Sequence, residues 1–180
     1  MEEKQLYNRV DEEFLNTKAK DARHRRSDEI QVVEFLLGEK TFAIDLFDTK
    51  EVINQPEITP LPDAPPYVEG IIDLRGIITT ILDLKSLMNI AEDAKDGRRS
   101  RVIVLDADLS HKIIGVLVDD VLSVTTYNES VVDRDQHSEG ARNRLGVIRK
   151  KSKDSGEKEA ADLVIFVDIQ GIVKRIEDTL

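Results

Sequence analysis

Short apolar runs separated by polar turns recur along the chain from residue 29 onward. The runs are rich in Ile, Val and Leu, which favours β-strands. The pattern predicts strands over residues 30–37, 41–45, 71–74, 77–83, 101–107, 112–119, 121–127, 145–149 and 163–168. Strands this short and numerous, without long helices between them, favour antiparallel barrels or sandwiches over a parallel α/β sheet. They are too many for one small closed barrel, so we expect two barrels packed together.

Helical patterns are confined to short segments of this part of the chain. Residues 46–53 have a helix-like pattern, and residues 84–90 are predicted as a short helix with Asp83 as its N-cap. A terminal helix is predicted from residue 169 onward, with Asp168 as its N-cap. All five prolines lie within residues 54–70, which are therefore expected to form a stiff extended loop.

Two segments differ from this β-rich pattern. In residues 1–28 the apolar positions recur at helical spacing among mostly charged residues, and they are Leu6, Tyr7, Val10 and Phe14. They predict an amphipathic helix of about 12 residues followed by a solvated linker, with a frayed extension as an equal alternative. The charged residues 150–162 are predicted as a mobile hairpin loop.

The chain shows weak internal similarity. Residues 78–88 and 163–173 share an apolar strand, an Asp and a short helix with matching apolar positions. Residues 42–53 and 114–125 are loosely alike as well. A duplicated β unit explains both pairs, although short apolar patterns also recur by chance.

Composition and charge narrow the class of protein. The 180 residues are 40% hydrophobic and 34% charged, with a formal net charge of −10, which predicts a globular cytoplasmic protein. A charge of that sign argues against bulk nucleic-acid binding, which depends on a basic surface. The chain has no Cys, and none of its apolar runs reaches the roughly 18 residues of a membrane span.

The sequence contains no recognisable catalytic or metal-binding motif. His24, His111 and His137 lie far apart in polar contexts, without the spacing of metal ligands. Neither a serine nucleophile elbow nor a glycine-rich phosphate-binding loop is present. A catalytic carboxylate pair stays open because acids are plentiful, but Asp83 and Asp168 are better explained as helix caps. These observations favour a binding module over an enzyme.

The run FAIDLFDTKEVI (42–53), followed by ITPLPDAPPYVEGIIDLRGIITTILDLKSLM (58–88), resembles the CheW family of chemotaxis coupling proteins. The shared features are a strand and short helix ending in Glu-Val-Ile, a proline-rich loop, and an Arg-Gly turn before a strand that ends in Asp-Leu. Segments 115–124 and 163–173 fit the family as well. Asp73 stands where the family usually has Asn, and Thr80 stands where Pro is common; the fold should tolerate both changes.

This resemblance implies a mainly β fold over residues 29–178, made of two intertwined, packed five-stranded SH3-like β-barrels with short helices. It implies a non-enzymatic adaptor of a two-component system that links a chemoreceptor tip to the regulatory domain of the histidine kinase CheA. Such a protein needs no cofactor or metal. It is cytoplasmic and is recruited to membrane receptor arrays without inserting into the membrane.

Arg75 lies beside Gly76 in an almost entirely apolar stretch, where an unpaired guanidinium could not be buried. One interpretation is a turn arginine paired with Asp73, Glu69 or Glu51. Another, implied by the resemblance, is a partner contact on a tight turn that Gly76 permits. By resemblance the receptor site lies between the barrels, and the candidate partner-binding residues are Arg75, Gly76, Glu51, Val33, Leu46, Thr49, Val52, Ile114 and Val116. For the aliphatic residues among them an ordinary core position is an equal alternative.

Three other functions stay open at this stage. A CheW-like scaffold in a non-motility two-component pathway would have the same sequence features. An enzyme built on small β-barrels would need a nucleophile and base that the sequence does not offer. A nucleic-acid-binding barrel would need aromatic residues on a basic face, and the basic segment 142–153 contains no aromatic residue.

Deleting residues 1–28 is expected to leave the fold intact, because the resemblance to the family does not include them. Thermal denaturation of the shortened and full-length chains checks this. A midpoint lowered by more than about 8 °C, equivalent to some 2 kcal/mol for a domain of this size, would show that the predicted helix belongs to the core.

Overall fold

Eleven β-strands and two α-helices form the part of the chain described by the structure, a computed structural model covering residues 28–54, 56–90, 100–134, 143–150 and 162–177. The strands are β1 (Glu29–Leu37), β2 (Lys40–Asp45), β3 (Thr49–Asn54), β4 (Val68–Leu74), β5 (Ile77–Asp83), β6 (Arg101–Leu105), β7 (Ile114–Val118), β8 (Asp120–Asn128), β9 (Val132–Asp133), β10 (Arg144–Lys150) and β11 (Asp162–Val167). The helices are α1 (Leu84–Met88) and α2 (Ile169–Ile176). The helix predicted within residues 1–28 and the loop predicted at 150–162 lie almost wholly outside the described residues.

The strands form two sheets, and the chain passes from one to the other and back. The first sheet has six strands in the order β8-β1-β2-β11-β10-β9, and the second has five in the order β3-β6-β7-β5-β4. Most neighbours are antiparallel, as the short connections predict, but β2 with β11 and β5 with β7 are parallel. A mainly β fold is thus confirmed. One sheet has six strands instead of five, and in the described residues neither sheet is closed by pairing of its outer strands.

The internal similarity in the sequence corresponds to equivalent positions in the two sheets. In the second sheet Thr80 of β5 lies opposite Ile114 of β7, and in the first sheet Ile165 of β11 lies opposite Phe42 of β2. The internal sequence similarity aligns Thr80 with Ile165 and Phe42 with Ile114, so the same aligned positions face each other in both sheets. Strands β3 to β7 therefore correspond in order to β8, β10, β11, β1 and β2, so the two halves share one topology.

The helix predicted over residues 46–53 is wrong for most of that range. Only Leu46–Asp48 is helical, as one 3-10 turn, and Thr49–Asn54 is strand β3, antiparallel to β6. The three β-branched residues Thr49, Val52 and Ile53 favour the extended conformation, and pairing with β6 satisfies the backbone there. The caps were predicted correctly: Asp83 Oδ1 accepts from Lys85 N–H at 2.9 Å, and Asp168 Oδ1 from Gly171 N–H at 2.9 Å.

The largest apolar cluster lies between the sheets and takes side chains from both. Phe35 and Phe42 of the first sheet stack with ring centroids 6.0 Å apart, and they share this cluster with Leu82 and Ile103 of the second. Two smaller clusters belong to one sheet each, around Phe166 in the first and around Ile81, Val102 and Val104 in the second. Both faces of the central strands are therefore apolar, which explains their nearly continuous hydrophobic sequences.

Gly70 of β4 lies against the proline-containing segment. Its φ is 151°, and a Cβ added there would lie 2.2 Å from the backbone oxygen of Thr59, whose amide and carbonyl both bond to Ile71. Only glycine therefore permits this contact, which holds the segment on the sheet.

Replacing Gly70 with Ala is expected to lower the free energy of unfolding by about 3 kcal/mol, from overpacking and backbone strain together. Gly76→Ala is the control, because Gly76 has a φ of 84° but no atom near its Cβ position, so only strain of about 1 kcal/mol applies. Denaturant titration of both variants checks the difference. Equal losses would show that the contact with Thr59 is unimportant.

Candidate functional site

The turn between β4 and β5 consists of Arg75 and Gly76. Both residues have positive φ, 54° and 84°, as the tight two-residue turns of β-hairpins require. The backbone N–H of Gly76 donates to Asp73 Oδ1 at 2.6 Å, which fixes the turn from the preceding strand. A non-glycine residue at positive φ is uncommon, so Arg75 occupies a position that its own conformational preference does not explain.

The guanidinium of Arg75 is largely exposed and has one acidic partner. Its Nη2 donates to Glu51 Oε2 at 3.1 Å, and the side chains are 79% and 22% exposed. Asp73, Glu69 and Glu51 were the possible partners in the sequence. Glu51 is the partner in the structure, whereas Asp73 accepts from the backbone of the turn. An arginine has five N–H donors, so one bond to Glu51 leaves donors that can reach another molecule. An ion pair and a partner contact are thus compatible here.

The Arg75–Glu51 pair also reaches across the second sheet. Glu51 lies on β3, the outer strand at one side of that sheet, whereas Arg75 lies at the tip of the hairpin at the other side. A side-chain contact therefore joins the two opposite sides of this sheet. Ile77 and Ile78, which follow the turn, are 49% and 60% exposed. The tip of the hairpin therefore presents a cation next to apolar side chains.

The remaining candidate partner-binding residues do not form an open groove. Five of them are at most 1% exposed: Val33, Leu46, Thr49, Ile114 and Val116. Val52 is 9% exposed. The aliphatic residues belong to the core between the sheets, and the Thr49 hydroxyl donates to Leu46 O at 2.6 Å. The sequence left open whether these residues line a groove or belong to the core. The structure places them in the core.

A buried charged group that the sequence reading missed lies in the first sheet. Glu34 of β1 is 1% exposed, its Oε2 accepts from Lys150 Nζ at 2.6 Å, and its Oε1 accepts from the Tyr127 hydroxyl. Burial, and then the hydrogen bond to Glu34 and its charge, raise the pKa of the Tyr127 hydroxyl. The sequence does contain a signal for this group. Glu34 stands within an apolar strand two residues after the inward-facing Val32, so its side chain lies on the same face, where a buried acid needs a cation.

Acids also collect around the 3-10 turn at Leu46–Asp48. Burial, together with the charges of Asp45, Asp106 and Asp168, raises the pKa of Asp48, although a hydrogen bond from Gln170 opposes this. In the described part of the chain, no group of three or more His, Cys, Asp or Glu residues has the arrangement of a metal site. No helix among those residues is long and apolar enough to cross a membrane.

Comparison with known proteins identifies one family. The profile of the CheW-like domain matches residues 31–177. The chemotaxis protein CheW of Thermotoga maritima is 31% identical over 148 residues, covering 82% of this chain and 90% of that protein. The chemotaxis protein CheW of Treponema pallidum is 30% identical over 118 residues, covering 61% and 68%. The crystal structure of the scaffolding protein TtCheW from Thermoanaerobacter tengcongensis matches with a TM-score of 0.64 and 26% identity, covering 81% and 92%.

The Arg75–Glu51 and Lys150–Glu34 ion pairs each join distant strands of one sheet, and they should differ in their effect on stability. Arg75→Met removes an exposed pair and is expected to change the free energy of unfolding by less than about 1 kcal/mol. Lys150→Met leaves the Glu34 carboxylate buried without a cation and is expected to cost about 3–5 kcal/mol. Denaturant midpoints of the two variants test this. A large loss for Arg75→Met would mean that Arg75 serves the fold.

Proposed function

The chain belongs to the CheW-like domain family and is a chemotaxis adaptor, and we propose that it links a chemoreceptor to the regulatory domain of the histidine kinase CheA without catalysis. The observation that carries the proposal is Arg75, which is held out on a tight turn and largely exposed within a CheW-like domain. The absence of a recognisable catalytic motif in the sequence agrees with an adaptor. The curated relatives cited above are named chemotaxis proteins, and no observation favours a non-motility pathway.

We further propose that each sheet is curled in the manner of an SH3-like barrel. Arg75 bonds to Glu51 from the opposite side of the second sheet. Lys150 on β10 bonds to Glu34 on β1, although β2 and β11 lie between these strands in the first sheet. Both contacts require that distant strands of one sheet face each other, and each curled sheet holds its own apolar cluster.

The proposed receptor contact uses the surface around the Arg75 turn. Receptor tips are helical hairpins, so a suitable surface combines apolar side chains with charge. Arg75 and Glu51 supply charge, Ile77 and Ile78 supply exposed apolar area, and Val52 lies on the same strand as Glu51. Gly76 contributes the conformation of the turn. Val33, Leu46, Thr49, Ile114 and Val116 enter this proposal as the core beneath the surface, because their side chains are buried.

The cellular location follows as part of the same proposal. A protein that binds the cytoplasmic tip of a receptor works in the cytoplasm and is recruited to receptor arrays by its partners. This requires neither a membrane-inserted segment nor a lipid anchor of its own. Residues 1–28 have no part in this assignment.

The adaptor should bind a CheA regulatory domain and a receptor cytoplasmic fragment at the same time. Affinities in the micromolar range, about −8 kcal/mol, would suit a reversible signalling contact. Pull-down and calorimetry with both partners measure this. Mutual exclusion of the partners would contradict the adaptor model.

Within that assay Arg75→Ala should weaken binding to one partner by about 1.5–3 kcal/mol, the scale of a charge-assisted hydrogen bond. Arg75→Lys should restore little if the contact is bidentate, because an ammonium lacks the planar fork. Arg149→Ala is the matched control, since Arg149 forms a similarly exposed pair with Asp133 at 3.0 Å in the other sheet. Equal losses for Arg75→Ala and Arg149→Ala would argue against a specific contact at the turn.

A further inference from the structure

The chain crosses between the two sheets at two equivalent places. The first crossing is the 3-10 turn Leu46–Asp48 between β2 and β3, and the second is Asp119, the single residue between β7 and β8. Any movement of one sheet relative to the other must be absorbed at these crossings, since the connecting segments are so short. The shared core holds the sheets together, and the contacts made by the crossing residues add to the stiffness of the connection.

Asp119 bonds to both sheets at once. Its backbone N–H donates to Leu36 O on β1 at 3.0 Å, and its Oδ2 accepts from the N–H of Gly38, in the β1–β2 turn, at 2.6 Å. These two contacts are with the first sheet. Its Oδ1 accepts from Lys85 Nζ at 2.6 Å, and Lys85 lies in α1, the helix that directly follows β5 of the second sheet. One carboxylate thus joins the turn of one sheet to the helix of the other.

This ion pair is better protected from water than the pair at the Arg75 turn. The side chains of Lys85 and Asp119 are 18% and 23% exposed, whereas Arg75 is 79% exposed. Partial burial weakens the screening by solvent and salt, so the Lys85–Asp119 contact is the stronger restraint.

The other crossing has a similar contact without the opposite charge, although its acceptor Asp48 aligns with Asp120, the neighbour of Asp119, in the internal sequence similarity. Gln170 is the second residue of α2, as Lys85 is the second of α1, and the two match in the internal sequence similarity. Gln170 Nε2 donates to Asp48 Oδ1 at 2.8 Å. The two crossings therefore differ. At the second, Lys85 pairs with Asp119, and Arg101 of β6 pairs with the adjacent Asp120 at 2.7 Å, whereas at the first the donor from the helix is the neutral Gln170.

We propose that the Lys85–Asp119 pair is a latch between the two sheets, and that it sets the coupling between partners bound on different sheets. The coupling part rests on the proposed adaptor function, whereas the latch itself does not. An adaptor can transmit a signal between two partners only if binding of one changes the affinity for the other. Rigid-body movement of one packed unit against another is a common means of such coupling, and the Lys85–Asp119 pair at the crossing adds to the restraint on that movement.

The latch is tested first in the free protein by amide hydrogen exchange observed by NMR. Lys85→Met keeps most of the apolar stem and removes the charge. It should speed exchange of the amides of Gly38 and Asp119 by about tenfold or more, because local opening at the crossing becomes easier. Lys85→Arg should restore protection. Gln170→Met is the matched control at the other crossing and should leave these two amides unchanged.

Asp119→Asn provides a second variant in case Lys85→Met folds poorly. If the two residues act as one unit, adding Lys85→Met to Asp119→Asn should produce little further change in exchange. Unchanged exchange at Gly38 and Asp119 in Lys85→Met, or fully additive effects in the double variant, would overturn the latch.

The coupling is tested by measuring the affinity for the receptor fragment with and without saturating CheA regulatory domain. The parent should show a change in affinity between the two conditions, and Lys85→Met should bring that ratio close to one while Gln170→Met leaves it intact. A parent without coupling, or coupling preserved in Lys85→Met, would overturn this part. If neither partner binds the parent, the adaptor proposal fails, and the exchange experiment still decides on the latch.

Discussion

The apolar core shared by the two sheets is the interaction on which the rest of the structure depends. Phe35 and Phe42 from one sheet and Leu82 and Ile103 from the other are buried in a single cluster. Each fully buried aliphatic or aromatic side chain contributes about 1.5–3 kcal/mol, whereas an exposed ion pair contributes at most about 1 kcal/mol. The core therefore holds the sheets together, and the charged contacts determine finer properties such as the direction of a side chain or the stiffness of a crossing.

The shared core also limits which of the candidate partner-binding residues are accessible at the surface. Val33, Ile114 and Val116 lie on strands that the family resemblance places near a partner, but their side chains are the packing between the sheets. Of the candidate residues, the packing leaves Arg75 and part of Glu51 outside, at the tip of the β4–β5 hairpin beside the exposed Ile77 and Ile78. Strand β5 shows the same division along its length, since Ile81 and Leu82 are fully buried whereas Ile77 and Ile78 at its start are exposed.

Local patterns allowed much of the fold to be predicted. Most strands and both α-helical caps depend on residues close together in sequence, so short apolar runs bounded by polar turns, and an Asp before each helix, were sufficient. Strand β3 was missed because its pattern fits a helix equally well, and only its pairing with β6 decides the matter. Glu34 was missed for a related reason: its cation, Lys150, is 116 residues away in the chain. Arg75 could be singled out because a charge in an apolar run is anomalous by itself, although the choice of Glu51 as its partner required the fold.

The two halves share one topology, and two of the differences between equivalent positions involve charge. Glu34 in the first sheet occupies the position of Val104 in the second, since Glu34 lies opposite Ala43 and Val104 lies opposite the equivalent Gly115. Lys85 likewise stands where the other half has Gln170. A duplicated β unit needs only its apolar pattern to fold twice, so charged differences between equivalent positions are not required by the fold itself. The Lys85–Asp119 contact at the crossing and the Glu34–Lys150 contact within the first sheet thus give the two halves different charged contacts on a common apolar frame.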